Sequence, residues 1–425
     1  MLEKLKFTQQ GKSIDDKIRI QLEIIIQTIR DEIPDVKSII LGGGFSRGEG
    51  SVKLIKNKIF PLNDYDIYVI TEKSYDEKFI DKIANKAANK IGYKGIAILH
   101  EFKKSEQKIE KNFYIDLKCL TEKQLKKLLP RLRYYELKYS TEIIYAKDKE
   151  DYRNLIPSFK LNQIPFAEGA KLLLDRMSQM CCYFSASKKN YDKDMLLYII
   201  QQAYASCLTS LLLISKKYQV GYYKNMQKLL KTYKKDFPKL NKTIPDLDKR
   251  IKRLIEWKLN PNKEIKNPEE TFFQCRKDIF EVTKYFLSFY LKKEIKDIDD
   301  LSKVILKMAS VYYKPYLREK FGILAPILNP LLNLYFKYKY FTRMKNKIFS
   351  GFCNIQSPDM IIFAAVPYVL FGIDKNKEKI IENQEMIGKA QELLSKISKI
   401  KGKGWEQLSL DYANAYFAFY LQKLN

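Results

Sequence analysis

Histidine is almost missing from this chain: of 425 residues only His100 is one. An imidazole-built zinc site or a histidine general base therefore has at most one place to sit. His100 ends an apolar run, "GIAILHEF", and reads as structural. The six cysteines (Cys119, Cys181, Cys182, Cys207, Cys275 and Cys353) include no Cys-x-x-Cys and no metal-ligand spacing. They read as reduced thiols packed as small apolar side chains in a cytoplasmic protein. The first twenty residues, "MLEKLKFTQQGKSIDDKIRI", hold no apolar core, so no secretory signal is expected. Two apolar runs stand out, and neither is long. "FGILAPILNPLLNL" (321–334) and "MIIFAAVPYVLFGI" (360–373) are short and broken by proline, the second reading as buried core, and no transmembrane segment is expected. Two familiar nucleotide signatures are also absent. No Gly-x-Gly-x-x-Gly occurs, and no Lys-Ser/Thr follows Gly48 as a P-loop requires.

What is present is length, a core and positive charge. A chain of this size exceeds what one core usually organises, so two or three domains are expected. Hydrophobic residues make up 46% and the mean hydropathy is −0.36, as in a soluble globular protein. Lysine and arginine number 78 against 50 acidic residues, a net charge of +28. Residues 1–160 carry 32 basic and 24 acidic residues, a balance of +8; the rest carry +20. Such a surface attracts phosphates, nucleic acid or anionic lipid. An AT-rich genome, rich in Lys, Ile, Asn and Tyr codons, produces the same bias with no polyanionic partner.

The patterning divides the chain near residue 157. In 1–157, helix and strand alternate. "SIDDKIRIQLEIIIQTIRDEI" opens with Ser13 and Asp16, resembling a capping box, and places Ile18, Leu22, Ile25, Ile26 and Ile29 on one helical face. "VKSIILGG", "DYDIYVI", "YKGIAILHEF", "KNFYIDLKCL" and "TEIIYAKD" read as strands. "DEKFIDKIANKAANKIG" reads as a helix, and "TEKQLKKLLPRLRYYEL" begins one. From 158 to 425 helical segments punctuated by proline predict an all-helical region, with a division into two lobes near 258–270. The expected class is α+β: a mixed sheet with flanking helices, then a large all-helical C-terminal region.

Two stretches carry the chemistry. "LGGGFSRGEG" begins at Leu41 and "NDYDIYVI" at Asn63. Alternate residues of a strand share a face, so Asp64 and Asp66 project together and Tyr65 turns away. Carboxylates on one face suit hard divalent ions, and Mg²⁺ prefers oxygen ligands with substrate phosphates. Asp116 lies within the apolar strand "FYIDLKC", where an unpartnered carboxylate is costly. If the two strands are neighbours, Asp116 completes a three-carboxylate site able to serve two-metal phosphoryl transfer. Gly42, Gly43 and Gly44 let backbone N–H groups face a triphosphate with no Cβ in the way. Ser46 and Arg47 follow, the arginine suited to phosphate oxygens, with Glu49 placed to orient it or stabilise the turn.

Gly-Gly…Arg-Gly-Glu, then Asp-x-Asp, then a later strand aspartate resembles the DNA polymerase β-like nucleotidyltransferase superfamily, in its minimal and antibiotic-modifying form. The resemblance covers about residues 14–155. It implies a nucleotidyltransferase fold for 1–157, with Mg²⁺ or Mn²⁺ as cofactor and an NTP as substrate. Asp64, Asp66 and Asp116 would be catalytic and metal-binding, with Asp116 aligning or deprotonating an acceptor hydroxyl. Gly43, Gly44, Ser46 and Arg47 would bind the nucleotide. Two-domain members send basic residues from the first helix of the second domain toward the phosphates, which points to Lys171 and Arg176; an ion pair of Lys171 with Asp175 competes. Nineteen residues, 45–63, separate Gly44 from Asp64, several more than minimal members have, and predict a hairpin or flap whose Lys53, Lys56 and Lys58 face water.

The implied reaction moves an NMP from an NTP to a hydroxyl and releases pyrophosphate. The acceptor is open between an RNA end, favoured by charge, and a small molecule of sugar or aminoglycoside type or a protein side chain. A non-catalytic nucleotide-binding or scaffold protein is the alternative from another class. With no histidine after residue 100, the C-terminal helices cannot be the Arg-x4-His ribonuclease that often accompanies minimal nucleotidyltransferases. "RLRYYELKY" (131–139) and "YFKYKYFTRMKNKIF" (335–349) interleave cations with aromatics, as single-stranded nucleic-acid or membrane-surface contacts do, although a helix ending at a solvated surface explains them as well.

Overall fold

The computed structural model describes residues 2–95, 112–187, 192–308, 356–377 and 379–423, with scattered positions between 324 and 340. His100, Cys353, most of the strand begun at Tyr93 and most of the stretches 321–334 and 335–349 lie outside the described residues.

The N-terminal part is built on a four-stranded sheet. α1 (Lys12–Glu32) precedes β1 (Val36–Leu41), and the short α2 (Gly43–Ser46) follows it. β2 (Val52–Ile55) and β3 (Lys58–Pro61) form the hairpin expected between Gly44 and Asp64. Its two turn residues, Lys56 and Asn57, both have positive φ, as a two-residue primed turn requires. β4 (Tyr65–Thr71) and α3 (Glu77–Lys90) come next, then the two-residue β5 (Lys94–Gly95) and β6 (Asn112–Phe113). β7 (Ile115–Thr121), α4 (Glu122–Leu125), α5 (Leu132–Tyr139) and β8 (Glu142–Ala146) complete it. The strand order is β7-β4-β1-β8, with β4 parallel to β7 and antiparallel to β1, and β8 antiparallel to β1.

Both faces of the sheet are covered. α1 and α3 pack on one, where Ile18, Leu22, Ile25, Ile26 and Ile29 are all buried. The other face carries a smaller cluster including Ile40, Ile70, Leu125 and Leu137. The capping box at Ser13 and Asp16 does not form. α1 starts from Gly11, which has no side chain to cap with, so Ser13 already lies inside the helix; Asp15 accepts the Thr8 N–H (2.9 Å) and hydroxyl (2.8 Å). The capping box that does exist is Thr121 with Gln124, where β7 runs into α4.

From Phe166 the chain is helical: α6 (Phe166–Tyr183), α7 (Lys193–Ile214), α8 (Tyr222–Asp236), α9 (Pro238–Thr243), α10 (Leu247–Leu259), α11 (Pro268–Leu291) and α12 (Ile298–Lys307). Helices Pro358–Phe371, Gln384–Ser395 and Trp405–Lys423 follow, and a hairpin of Ile373–Asn376 with Lys379–Glu382 interrupts them. One continuous core joins elements on both sides of the 258–270 loop. Pro358–Phe371 is buried almost throughout, as the sequence 360–373 led one to expect. α7 is long and apolar enough to cross a membrane by length and composition, yet 94% of that stretch is buried inside the structure. It is the helix around which α6, α10 and α11 pack, so no face of it is left to be polar.

Candidate active site

β4 and β7 lie side by side in parallel, and the register sets Asp66 directly opposite Asp116. Asp64 sits just before β4, two residues from Asp66 and hence on the same face. One carboxylate oxygen from each of the three lies within 4.8 Å of the others. The expected convergence is therefore present.

The turn after β1 closes over this cluster. The Gly42 N–H donates to the Asp66 carbonyl at 2.7 Å, joining the turn to the Asp-x-Asp strand. Gly43 has φ +63°, and a Cβ there would lie 1.9 Å from Asp66 Oδ2. Only glycine allows the carboxylate and the turn to share this space. The first N–H groups of a helical turn have no intrahelical partner, and those of α2 stand beside the cluster. Ser46 Oγ is 2.9 Å from the Gly43 carbonyl and 2.8 Å from that of Ser140, so its hydroxyl holds the turn to the start of β8.

Electrostatics marks the cluster as unbalanced. Burial, with the Asp116 charge adding to it, pushes the Asp64 carboxyl up to about 6. Asp66 is raised well above the ordinary range by burial and by both neighbouring aspartates. Asp116 accepts a 2.7 Å bond from Arg133 Nη2, and Arg133 also donates to the Tyr68 hydroxyl. Lys118, on the same strand face, has Nζ 4.0 Å from Asp116 Oδ1. Burial and the neighbouring Arg133 lower Lys118 to about 8. A divalent cation would relieve the repulsion among the carboxylates. Three oxygens within this span fit one octahedral Mg²⁺, whose trans oxygens stand about 4.2 Å apart, or two ions separated by about 3.5–4 Å. The donor set, all carboxylate oxygen, is the hard type such ions select.

The helical region completes the surroundings. Arg47 is mostly buried, with Nε 3.4 Å from Glu49 Oε2 and Nη1 3.7 Å from Glu136 Oε2. Burial disfavours its charge, and the two carboxylates outweigh burial and raise its pKa. Glu49 accepts 2.9 Å bonds from the Tyr222 and Tyr223 N–H groups, so it caps α8 while holding Arg47. Lys258 of α10, 1% exposed, donates to the Glu49 carbonyl (3.1 Å) and to Asn63 Oδ1 (2.8 Å), next to Asp64. The Tyr222 ring lies 4.9 Å from its Nζ. Burial lowers Lys258 to about 8.

Arg176 on α6 is near enough for its charge to lower the Asp64 pKa, and its Nη1 donates to Gln179. Lys171 acts electrostatically on Lys118, while Asp175 accepts from the Tyr416 hydroxyl at 3.3 Å. In the flap, Lys56 and Lys58 face water as expected, whereas Lys53 pairs with Asp194 of α7. In "RLRYYELKY", Arg133 serves Asp116, and Lys138 donates to backbone carbonyls of Arg153 and Ile156. The five described cysteines are free thiols.

Sequence reasoning missed Lys118, Arg133, Lys258 and the capping by Glu49. Lys118 was within reach of it, standing two residues from Asp116 on one strand face. The other contacts cross between distant elements. No family model and no curated protein matches this chain. Among solved structures, spectinomycin adenyltransferase AAD(9) from Enterococcus faecialis, determined with ATP and spectinomycin, is similar over 62% of this chain and 99% of its own. Identity is 12% and the TM-score 0.36. A likeness that distant carries no argument about activity or acceptor.

Proposed function

We propose that this protein transfers an NMP from an NTP to an acceptor hydroxyl and releases pyrophosphate, using Mg²⁺ or Mn²⁺. The observation carrying this reading is the convergence of Asp64, Asp66 and Asp116 within 4.8 Å under the Gly43 turn. In it, residues 1–157 form the nucleotidyltransferase domain and 158–425 a helical domain, in the cytoplasm where NTPs and reduced thiols coexist.

Asp64 and Asp66 would hold the divalent ion or ions, with Asp116 sharing them. Bound metal supplies charge neutralisation at the phosphates and a lowered pKa for the attacking hydroxyl. The chain's own groups do the rest. The N–H groups of Gly43 and Gly44 face the phosphates, and Arg47, Lys171 and Arg176 add positive charge around them. Ser46 keeps the turn in place. Arg133 holds Asp116 by its Oδ2, and Oδ1, with Lys118 Nζ 4.0 Å away, would accept the hydroxyl proton.

Net charge does not choose the acceptor, because an RNA 3′ end and a small anion are both drawn to a +28 protein. Purified protein with NTP, Mg²⁺ and mixed acceptors should release pyrophosphate, and Asp66→Asn should release none. Equal release by the variant refutes the reading. Filter binding to RNA over a salt series tests the polynucleotide acceptor: retention must fall steeply with salt, and none at low salt removes that acceptor.

A further inference from the structure

A cavity of about 530 Å³ opens where the β2–β3 hairpin meets the helical region. That volume suits a small ligand, within the roughly 300–1,000 Å³ of small-molecule sites, and is too small for a polynucleotide. Its walls are stitched together. The Leu54 N–H donates to Asn262 Oδ1 at 2.9 Å, and Asn262 Nδ2 donates to the Val52 carbonyl at 3.4 Å. Lys53 of the same hairpin pairs with Asp194 of α7. Trp257 and Leu197, both nearly fully buried, line it.

The charge of the rim is uneven. Lys53 and Asp194 neutralise one another. That leaves Lys193, Lys263 and Lys266 against Glu264, and those three lysines make no ion pair among the described residues. An apolar floor beneath a lysine rim selects an anion with a carbon skeleton.

Two helices that line the cavity also carry residues facing the carboxylate cluster. On α7, Asp194 and Leu197 line the cavity, and Tyr198, one turn from Asp194, is close enough for the Asp64 charge to raise its phenol pKa after burial has done so. On α10, Trp257 lines the cavity and the next residue, Lys258, bonds to Asn63 beside Asp64. One helical turn of four residues spans about 6 Å. Cavity and cluster are thus joined through neighbouring residues of two helices, Leu197 with Tyr198 on α7 and Trp257 with Lys258 on α10.

Resting on the nucleotidyl-transfer reading, we infer that this cavity binds the anionic end of the acceptor, and that the acceptor is a small polyhydroxylated anion of the sugar-phosphate or sugar-acid class. A hydroxyl at its other end points to Asp116. Its oxygen forms the new bond to the α-phosphorus, and the bond between that phosphorus and the α–β bridging oxygen breaks. Pyrophosphate leaves with the electron pair, and the hydroxyl proton passes to Asp116.

The test is calorimetry on the full chain with Mg²⁺ and α,β-methylene-ATP present. The titrants are glucose 6-phosphate, ribose 5-phosphate, glucuronate, glucose and a short RNA. At least one anionic sugar should bind about tenfold or more tightly than glucose, and the double variant Lys263→Ala, Lys266→Ala should weaken it about tenfold while nucleotide binding stays unchanged. Both lysines are exposed loop residues, so the variant keeps its fold. The inference is overturned if no anionic sugar exceeds glucose or if the variant binds them as the parent does. It is also overturned if the variant loses RNA and no sugar binds. Nucleotide binding is read in the same titration: its absence sinks the transfer reading, whereas intact nucleotide binding without sugar binding sinks only the acceptor assignment.

Discussion

Gly43→Ala tests the site at its tightest point. An alanine at φ +63° costs about 1–2 kcal/mol in backbone strain. The larger effect is steric. The new Cβ would stand 1.9 Å from Asp66 Oδ2, and carbon–oxygen contacts begin near 3.3 Å, so turn and carboxylate must part by about 1.4 Å. A displacement of about 1 Å at a reacting centre costs on the order of a hundredfold, or about 2.7 kcal/mol in barrier. Gly44→Ala is the matched control. Its φ is ordinary and its Cβ would meet the Glu49 carbonyl at 3.1 Å, a contact relieved by a few tenths of an ångström. Mn²⁺ affinity by calorimetry, pyrophosphate release and thermal melting should be measured on both. Gly43→Ala should lose about a hundredfold in release and most of its Mn²⁺ affinity while still melting cooperatively. Gly44→Ala should stay within about tenfold of the parent. If Gly43→Ala matches Gly44→Ala in metal affinity and release, the turn does not hold Asp66 and the argument from the glycine fails.

Three other substitutions test the joints around the site. Glu49→Gln removes the charge that caps α8 and faces Arg47, and should cost about 1–3 kcal/mol in denaturant unfolding. Lys258 has a folded pKa of about 8, below its ordinary 10.5, so between those pH values the unfolded chain holds the extra proton and stability should rise with pH. Lys258→Met should remove that rise, seen as the difference between the two proteins' unfolding curves from pH 8 to 10.5; parallel curves would contradict the lowered pKa of the buried amine. Gln201 is fully buried with neither amide atom bonded, so Gln201→Met should leave stability unchanged or raise it by about 1 kcal/mol, and a loss greater than that would mean the amide has a partner.

What could be read from the sequence was local. The strand alternation that puts Asp64 and Asp66 on one face is a property of the polypeptide backbone, and the apolar run around Asp116 marked a buried strand. The hairpin between Gly44 and Asp64 announced itself through length and lysine-rich turn residues. The capping box at Ser13 was misread for a physical reason: the chain turns into the helix at Gly11, whose positive φ suits glycine, and Ser13 then lies inside the first turn. α7 lies within the region read as helical, and being buried all round it has no polar stripe. A hairpin inside the otherwise helical C-terminal part passed unnoticed, its four-residue strands being too short to show alternation.

The groups that shape the site beyond the aspartates were illegible because nothing in a single sequence pairs residues so far apart. Glu49 meets Tyr222 across 173 positions, and Lys258 meets Glu49 across 209. Each contact has the same consequence. The helical region grips the glycine turn through Glu49 and the approach to Asp64 through Asn63, so the turn and the start of β4 are tied together from outside the sheet. A buried lysine and a buried glutamate make costly anchors, since each must be desolvated and kept paired. Their worth lies in geometry: carboxylates that repel one another, as Asp64 and Asp66 do beside Asp116, spread apart unless something outside the sheet holds the ends of their strands. The helical region is in that position, and the cavity lined by Trp257 and Lys53 lies where the β2–β3 hairpin meets it.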